Sequence, residues 1–167
     1  VEDEFVRQHG HIPGAGMAVL ALGKLGSREM TASSDLDLVF IYDTPEGGGV
    51  PSDGNRPLAS PRYFARLSQR LINALTALTS EGLLYDVDMR LRPSGTKGPI
   101  ASTLEGFVKY HANAAWTWEH MALTRARVLL GPDDLCRRIT ETIRGILSNP
   151  RDQEELLRDV AAMRKRL

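Results

Sequence analysis

Two aspartates at i and i+2, Asp35 and Asp37, stand in the run Ser34-Asp35-Leu36-Asp37-Leu38-Val39-Phe40. Leu36, Leu38, Val39, Phe40 and Ile41 give that run the composition of a β-strand. Successive strand side chains point to opposite faces, so the two carboxylates share one. Carboxylates side by side repel each other, and a divalent cation is the usual means of keeping both ionised. Just upstream, Gly23-Lys24-Leu25-Gly26-Ser27 reads as a glycine-rich turn whose backbone N–H groups offer a phosphate somewhere to lie. Acids and turn together describe metal-assisted chemistry on a nucleoside triphosphate. Taken alone, the Asp-x-Asp pair fits a solvated strand edge better than a metal site.

A second segment supplies a third acid. Tyr85, Val87, Met89 and Leu91 alternate with Asp86, Asp88, Arg90 and Arg92, a period of 2 that predicts a strand over 83–91. One face is apolar, and the other carries two acids followed by two arginines. Asp88 is the third carboxylate, with Asp86 as the alternative on the same face. Two-metal phosphoryl or nucleotidyl transfer needs one carboxylate bridging the cations and another near the attacking oxygen. Three aspartates plus substrate phosphates suit Mg²⁺, which takes near-octahedral oxygen coordination. Arg90 and Arg92 would bind phosphate oxygens or offset the acids, while a plain Asp88–Arg90 ion pair is the competing reading. Lys24 would reach a β- or γ-phosphate, or stand as an ordinary surface lysine. A Walker A loop is absent, and capping or hydrogen-bonding the turn is the plain structural role open to Ser33 and Ser34.

The elements that must position these residues follow from patterning. Residues 17–22 form a short apolar run, a buried strand ended by Gly23, and 36–42 form the second strand. Residues 44–60, centred on Gly47-Gly48-Gly49, are too polar and flexible to pack and are expected to be a mobile loop. Ser60-Pro61 reads as N-cap and first helical residue of a helix to about Thr79, with Phe64, Leu67, Leu71, Leu75 and Leu78 as its core stripe. Ser102 with Glu105 forms a capping box for a helix to about His111. Helices are expected over 115–129, 132–148 and 151 to the end. The Trp116/Trp118 pair and His120 are tempting as nucleotide contacts. On a helix, however, the two indoles lie roughly 200° apart and cannot form one platform, so packing is the expected role. Of Arg125 and Arg127, at most one would face the site.

Composition bounds the rest. A chain of 167 residues with 42% hydrophobic and 25% charged residues suits one domain, or a core with an appended helical part. Net charge is zero and the pI about 7.1, so no basic footprint points to nucleic acid. The single Cys136 excludes an internal disulfide or a multi-cysteine zinc site, and it reads as a core thiol on a stripe with Ile139 and Ile143. No apolar run approaches the ~20 residues of a membrane span, and no signal peptide is evident, which predicts a cytoplasmic protein. The chain opens on Val1 and closes on Leu167 within a stripe of Leu156, Val160, Met163 and Leu167, so an excised domain is expected. The expected picture is an α+β chain: a small sheet with helices over 1–100, then a helical extension over 101–167.

Three segments carry a family resemblance: Gly23-Lys24-Leu25-Gly26-Ser27-Arg28-Glu29, Ser33-Ser34-Asp35-Leu36-Asp37-Leu38, and Tyr85-Asp86-Val87-Asp88-Met89-Arg90-Leu91-Arg92-Pro93-Ser94-Gly95. Together they resemble the glutamine synthetase adenylyltransferase family, within the DNA polymerase beta-like nucleotidyltransferases. The resemblance runs from about residue 16 to the end. It implies a small mixed β-sheet core with flanking helices, metal-binding acids at Asp35, Asp37 and Asp88, Mg²⁺ or Mn²⁺ as cofactor and ATP as substrate. Gly26, Ser27, Lys24, Ser34, Arg90 and Arg92 are then the candidate nucleotide and phosphate contacts, and Asp86 occupies a variable position. Such proteins carry two related domains, one removing AMP from glutamine synthetase by phosphorolysis and one attaching it from ATP. Residues 91–95 and 115–127 are similar to the attaching, carboxy-terminal domain. The implied partners are glutamine synthetase and, through the full-length enzyme, a PII-type signalling protein. The alternatives are the removing domain and a catalytically weak nucleotide-sensing module.

Overall fold

The computed structural model describes residues 1–45, 50–80, 82–83, 85–150 and 153–165. In chain order they form α1 (Glu2–His9), β1 (Gly16–Ala21), α2 (Gly23–Ser27), β2 (Leu36–Asp43), α3 (Ser60–Leu75), β3 (Leu78–Thr79), β4 (Gly82–Leu83) and β5 (Val87–Asp88). A 3₁₀ turn (Gly95–Lys97), β6 (Ala101–Thr103), α4 (Leu104–Asn113), α5 (Thr117–Leu123), β7 (Arg127–Leu130), α6 (Asp133–Ser148) and α7 (Gln153–Arg164) follow. The class is α+β, and the main sheet is mixed. β1 runs antiparallel to both β2 and β7, while β5 and then β6 pair in parallel with successive halves of β2.

The period-2 alternation of β1 and β2 sorts two cores onto the two faces of this sheet. Val19, Leu36, Leu38 and Phe40 pack with Phe5 of α1 and with Tyr63, Phe64 and Leu67 of α3. Leu20, Val39 and Ile41 pack on the opposite face with Leu104 and Phe107 of α4, Leu123 of α5 and the Leu135, Ile139, Ile143 stripe of α6. Odd positions of β2 therefore face α4, α5 and α6, and this is the side on which Asp37 lies.

Several expectations change. Gly23–Ser27 is a one-turn helix and not an irregular turn. The strand expected over 83–91 is two short pieces with residue 84 outside the described residues: β4 pairs with β3, and only Val87–Asp88 joins β2. α3 stops at Leu75, so Leu75 and Leu78 are exposed, Leu78 at 82%. Its N-cap is Ala59; Ser60 is buried inside the helix and donates to the Val50 carbonyl (3.1 Å). The α4 cap is Thr103, one residue beyond the predicted Ser102, with its hydroxyl accepting from Gly106 N–H (2.9 Å).

The predicted helix 115–129 is divided between α5 and β7. Arg127–Leu130 is captured as a strand because β1 has a free edge there, a tertiary opportunity that overrides local helical patterning. The segment after residue 100 is accordingly not all helical: it adds β6 and β7 to the sheet. Glycines 47–49 of the loop over 44–60 lie outside the described residues. Its later part is packed, not free. Ser52 and Leu58 are buried and exchange two hydrogen bonds, and Asp53 and Gly54 donate to the His11 and His9 carbonyls beside α1. α7 keeps Leu156, Val160 and Met163 half-buried, with residues 151–152 and 166–167 outside the described residues. Cys136 is a free, partly buried thiol at the edge of the helical core, its pKa pushed up by burial.

Candidate active site at the head of β2

Parallel pairing of β2 with β5 sets Leu36 opposite Val87 and Asp37 opposite Asp88. The ladder begins one step earlier, where Leu36 N–H donates to the Asp86 carbonyl (2.8 Å). Parallel registry keeps facing residues on the same side of the sheet, so Asp37 and Asp88 are neighbours, with Asp35 two residues before Asp37. Asp86 and Asp35 are exposed, and Asp37 and Asp88 are half-buried.

The charges of the three acids are not equivalent. Burial, then the Asp88 and Asp35 carboxylates, push the Asp37 pKa up, with Arg90 pulling the other way. Asp88 is held below the usual carboxylate range, chiefly by hydrogen bonds from the Arg90 guanidinium and against the effect of burial. Arg90 Nε meets Asp88 Oδ2 at 2.7 Å, and Arg90 N–H meets Oδ1 at 2.8 Å, so both oxygens are engaged. The ion pair weighed from the sequence is therefore present. Among the described residues, no group of three or more His, Cys, Asp or Glu side chains is arranged to hold a metal ion. The donor set still fits a hard divalent cation. It is all carboxylate oxygen, it is open to solvent at Asp35, and the burial and neighbouring carboxylates that raise Asp37 are the demand a cation meets. Asp88 carries the Arg90 guanidinium on Oδ2 and a single backbone N–H on Oδ1, which leaves lone pairs for a cation.

The glycine-rich segment abuts this cluster. Leu22 N–H donates to the Asp37 carbonyl (2.9 Å), and Gly23 takes φ +51°. A Cβ at Gly23 would stand 3.0 Å from Asp37 Cγ and collide with Oδ2, so the backbone touches the carboxylate in a way only glycine permits. Gly26 does something else. Its N–H is spent on the Leu22 carbonyl (2.8 Å), and its missing side chain lets α2 pack on the Arg125 carbonyl. The amides left for an anion are those of the first turn, before Gly26. Ser27 Oγ, with one proton to give, stands 2.7 Å from Glu29 Oε2 and 3.1 Å from the Gly23 carbonyl oxygen.

Other predicted contacts fall into two groups. Lys24 is exposed on α2, and Arg90 is exposed and paired with Asp88. Ser34 is buried and accepts from Thr31 N–H (3.0 Å), holding the 31–34 turn that leads into Asp35. Arg92 does not share Arg90's face. It donates to the carbonyls of Met89 (2.9 Å), Thr96 (3.3 Å) and Gly98 (3.4 Å), tying together the loop after β5. The tryptophans are not core: Trp116 is 69% and Trp118 40% exposed.

Two residues have roles that the sequence reading did not assign them. Glu119 is 4% exposed and accepts from Tyr110 Oη and Trp116 N–H, both at 2.8 Å. Its position three residues after Trp116 was the available signal, the N3 half of a capping box whose first residue has no acceptor to complete it. Arg127 donates to the Gly26 carbonyl from Nε (3.1 Å) and to the Leu25 carbonyl from Nη2 (2.7 Å), and its partners are 101 and 102 residues away in sequence. A groove of about 1500 Å³ lined by Met17, Val19, Leu36, Leu38, Phe64 and Leu67 lies on the opposite face of the sheet and contains none of the three acids.

The family model for glutamate-ammonia ligase adenylyltransferase matches residues 3–142. Proteins named bifunctional glutamine synthetase adenylyltransferase/adenylyl-removing enzyme are similar along nearly the whole chain. That of Brucella melitensis biotype 1 is 55% identical over 165 residues, covering 99% of this chain and 17% of the relative. That of Rhodopseudomonas palustris strain TIE-1 is 54% identical over 165 residues, with the same coverage. That of Xanthobacter autotrophicus is 52% identical over 161 residues, covering 96% of this chain and 16% of the relative. The chain thus spans about one sixth of the length of these curated relatives.

Proposed function

The chain belongs to the glutamate-ammonia ligase adenylyltransferase family, and from that premise we propose that it transfers AMP from ATP to a tyrosine hydroxyl of glutamine synthetase, releasing pyrophosphate. The observation that carries this reading is the in-register pair of Asp37 and Asp88, with Asp35 beside them. Mg²⁺ or Mn²⁺ held by Asp35 and Asp37, with Asp88 completing the set, would neutralise the triphosphate and lower the pKa of the attacking hydroxyl. The chain's own groups do the rest. The first turn of α2 lies beside Asp37 and orients phosphate oxygens with its backbone amides, and exposed Lys24 supplies positive charge. Arg90 pivots from Asp88 onto the triphosphate, a move its exposed guanidinium can make without disturbing the fold. Asp88, kept ionised by Arg90 until then, is in the charge state needed to orient the phenol, whose ordinary pKa is about 10, and to accept its proton.

The setting is the cytoplasm, with regulation of nitrogen assimilation as the biological outcome and a PII-type protein acting through the longer polypeptide. No helix among the described residues is long and apolar enough to cross a membrane. A second reading follows from the relatives' double name: the same acids would serve removal of AMP, with inorganic phosphate as attacker. The discriminating experiment is the intact mass of glutamine synthetase after incubation with the chain, ATP and Mg²⁺ or Mn²⁺. A gain of one AMP per subunit, lost in Asp35→Asn, supports attachment. Loss of AMP from pre-adenylylated glutamine synthetase when phosphate is supplied transfers the assignment to removal. ATP binding with turnover in neither direction replaces both with a nucleotide-sensing module.

A further inference from the structure

α2 is too short to be stable alone, since a single helical turn does not recover the cost of nucleation. Its placement must therefore come from outside. Arg28, at φ +64°, ends it with its own N–H on the Leu25 carbonyl (3.4 Å), which leaves the Leu25 and Gly26 carbonyls at the helix end. The Arg127 guanidinium takes both, a cation where the helix presents its carbonyl ends. Arg127 is itself fixed by the β1–β7 ladder, where it stands opposite Ala21, two residues before Gly23. On the other side of the turn, Gly23 touches the Asp37 carboxylate. One continuous set of contacts thus runs from β7 through the turn to the central acid.

We propose that Arg127 is a positioning residue that sets the glycine-rich turn against Asp37 and so fixes where the triphosphate lies. This rests on the reading of the turn as the triphosphate contact. Arg127 touches neither substrate nor acids: its guanidinium is turned to the carbonyl side of α2, and it acts through the turn's backbone. A role confined to stapling β7 would change stability alone. A positioning role also changes nucleotide affinity while leaving Asp37, held within β2, and Asp35, one residue before it, able to take a cation as before. Lysine can keep one of the two hydrogen bonds but not the fork, so it should recover part of the effect.

The test compares wild type, Arg127→Gln and Arg127→Lys by amide hydrogen exchange, by Mn²⁺ binding without nucleotide, and by ATP binding with Mn²⁺ present. In Arg127→Gln, amides of residues 24–29 should exchange roughly tenfold faster or more, while those of β2 do not change. Its ATP affinity should fall about tenfold with Mn²⁺ affinity unchanged, and Arg127→Lys should lie between. Unchanged exchange over 24–29 in both variants overturns the proposal, as does faster exchange with wild-type ATP affinity. If Arg127→Gln fails to fold, Arg127→Lys decides by the same two readouts. Absence of ATP binding in wild type itself overturns the nucleotidyltransferase reading and this role with it; failure of the proposal alone appears only in the variants.

Discussion

Replacing Gly26 by alanine sets two effects of opposite sign against each other. Gly26 lies within α2 and its φ is not positive, so helix propensity alone predicts a gain of about 1 kcal/mol. The structure predicts a loss. An added Cβ would stand 2.9 Å from the Ala21 carbonyl oxygen and 3.0 Å from the Arg125 carbonyl carbon, and would overlap the Arg125 oxygen outright. Both neighbours are backbone, one in β1 and one leading into β7, so no side chain can rotate away. Relief requires α2 and the 124–127 segment to separate, which lengthens the Arg127 bonds to Leu25 and Gly26. Overpacking of this kind costs about 1–3 kcal/mol, and a weakened charge-assisted hydrogen bond adds roughly 1 kcal/mol at a half-exposed site. After the propensity gain, Gly26→Ala should destabilise by about 1–3 kcal/mol. For a chain of this length that lowers Tm by roughly 3–9 °C. Urea unfolding followed by circular dichroism gives the first quantity and a thermal scan the second. A variant as stable as wild type, or more so, would refute the claim that Gly26 is there for close packing and would return it to the role of a phosphate cradle.

The other expectations concern charge. Asp37→Asn should reduce adenylyl transfer by at least about a hundredfold while leaving Tm unlowered, because it relieves the crowding of three carboxylates; near wild-type turnover would remove Asp37 from the site. Arg90→Gln should raise the Asp88 pKa, read from the pH titration of its carboxyl carbon by NMR, and raise that of Asp37 as well. The stabilising contribution of Asp88 is full above pH 3.8 and is lost as pH falls through its lower folded value, whereas that of Asp37 is lost as pH rises above 3.8. An unmoved Asp88 in the variant would show that the ion pair does not form. His111 is 5% exposed, both ring nitrogens lack partners, and burial followed by His120 pushes its pKa down from 6.5 to about 4. Its neutral form is required, so that contribution is full above pH 6.5 and falls by about 2 kcal/mol on going to pH 5. His111→Phe should abolish that part of the acid sensitivity and equal or exceed wild type at pH 7.5; urea midpoints that fall equally in both proteins between pH 7.5 and 5 would contradict it.

Much of the site was legible because its pieces are local. The apolar residues after Asp35 placed β2 correctly, with Asp37 inside the strand and Asp35 one residue before its start, where strand alternation no longer fixes its face. The Asp88–Arg90 pair was readable for the same reason, since residues two apart on extended backbone meet on one side. Arg92 broke the pattern because the chain leaves β5 after Asp88 and turns, so the period that put both arginines on one face stops applying. Trp116 and Trp118 were assigned to packing because helical spacing sets their indoles roughly 200° apart, but Trp116 is only the N-cap of the seven-residue α5 and both indoles are exposed.

By itself, the sequence determined an α+β chain, the strands β1 and β2 with the glycine-rich segment between them, and the family, and it nominated Asp35, Asp37 and Asp88 as candidate acids; all of this depends on residue type, short spacing or alternation. Tertiary structure decided what is paired with what. That β5 joins β2 in the one register that sets Asp88 beside Asp37 depends on backbone hydrogen bonds between segments some fifty residues apart in sequence. That 127–130 is a strand and not the end of a helix depends on the open edge of β1. Gly26 and Arg127 have meaning only together, because a carbonyl at the end of one turn and a guanidinium 101 residues later find each other through the sheet between them. Local patterning reports which face a residue presents; the choice of neighbour on that face is set by long-range pairing, whose energy is distributed over contacts that no short window of sequence contains.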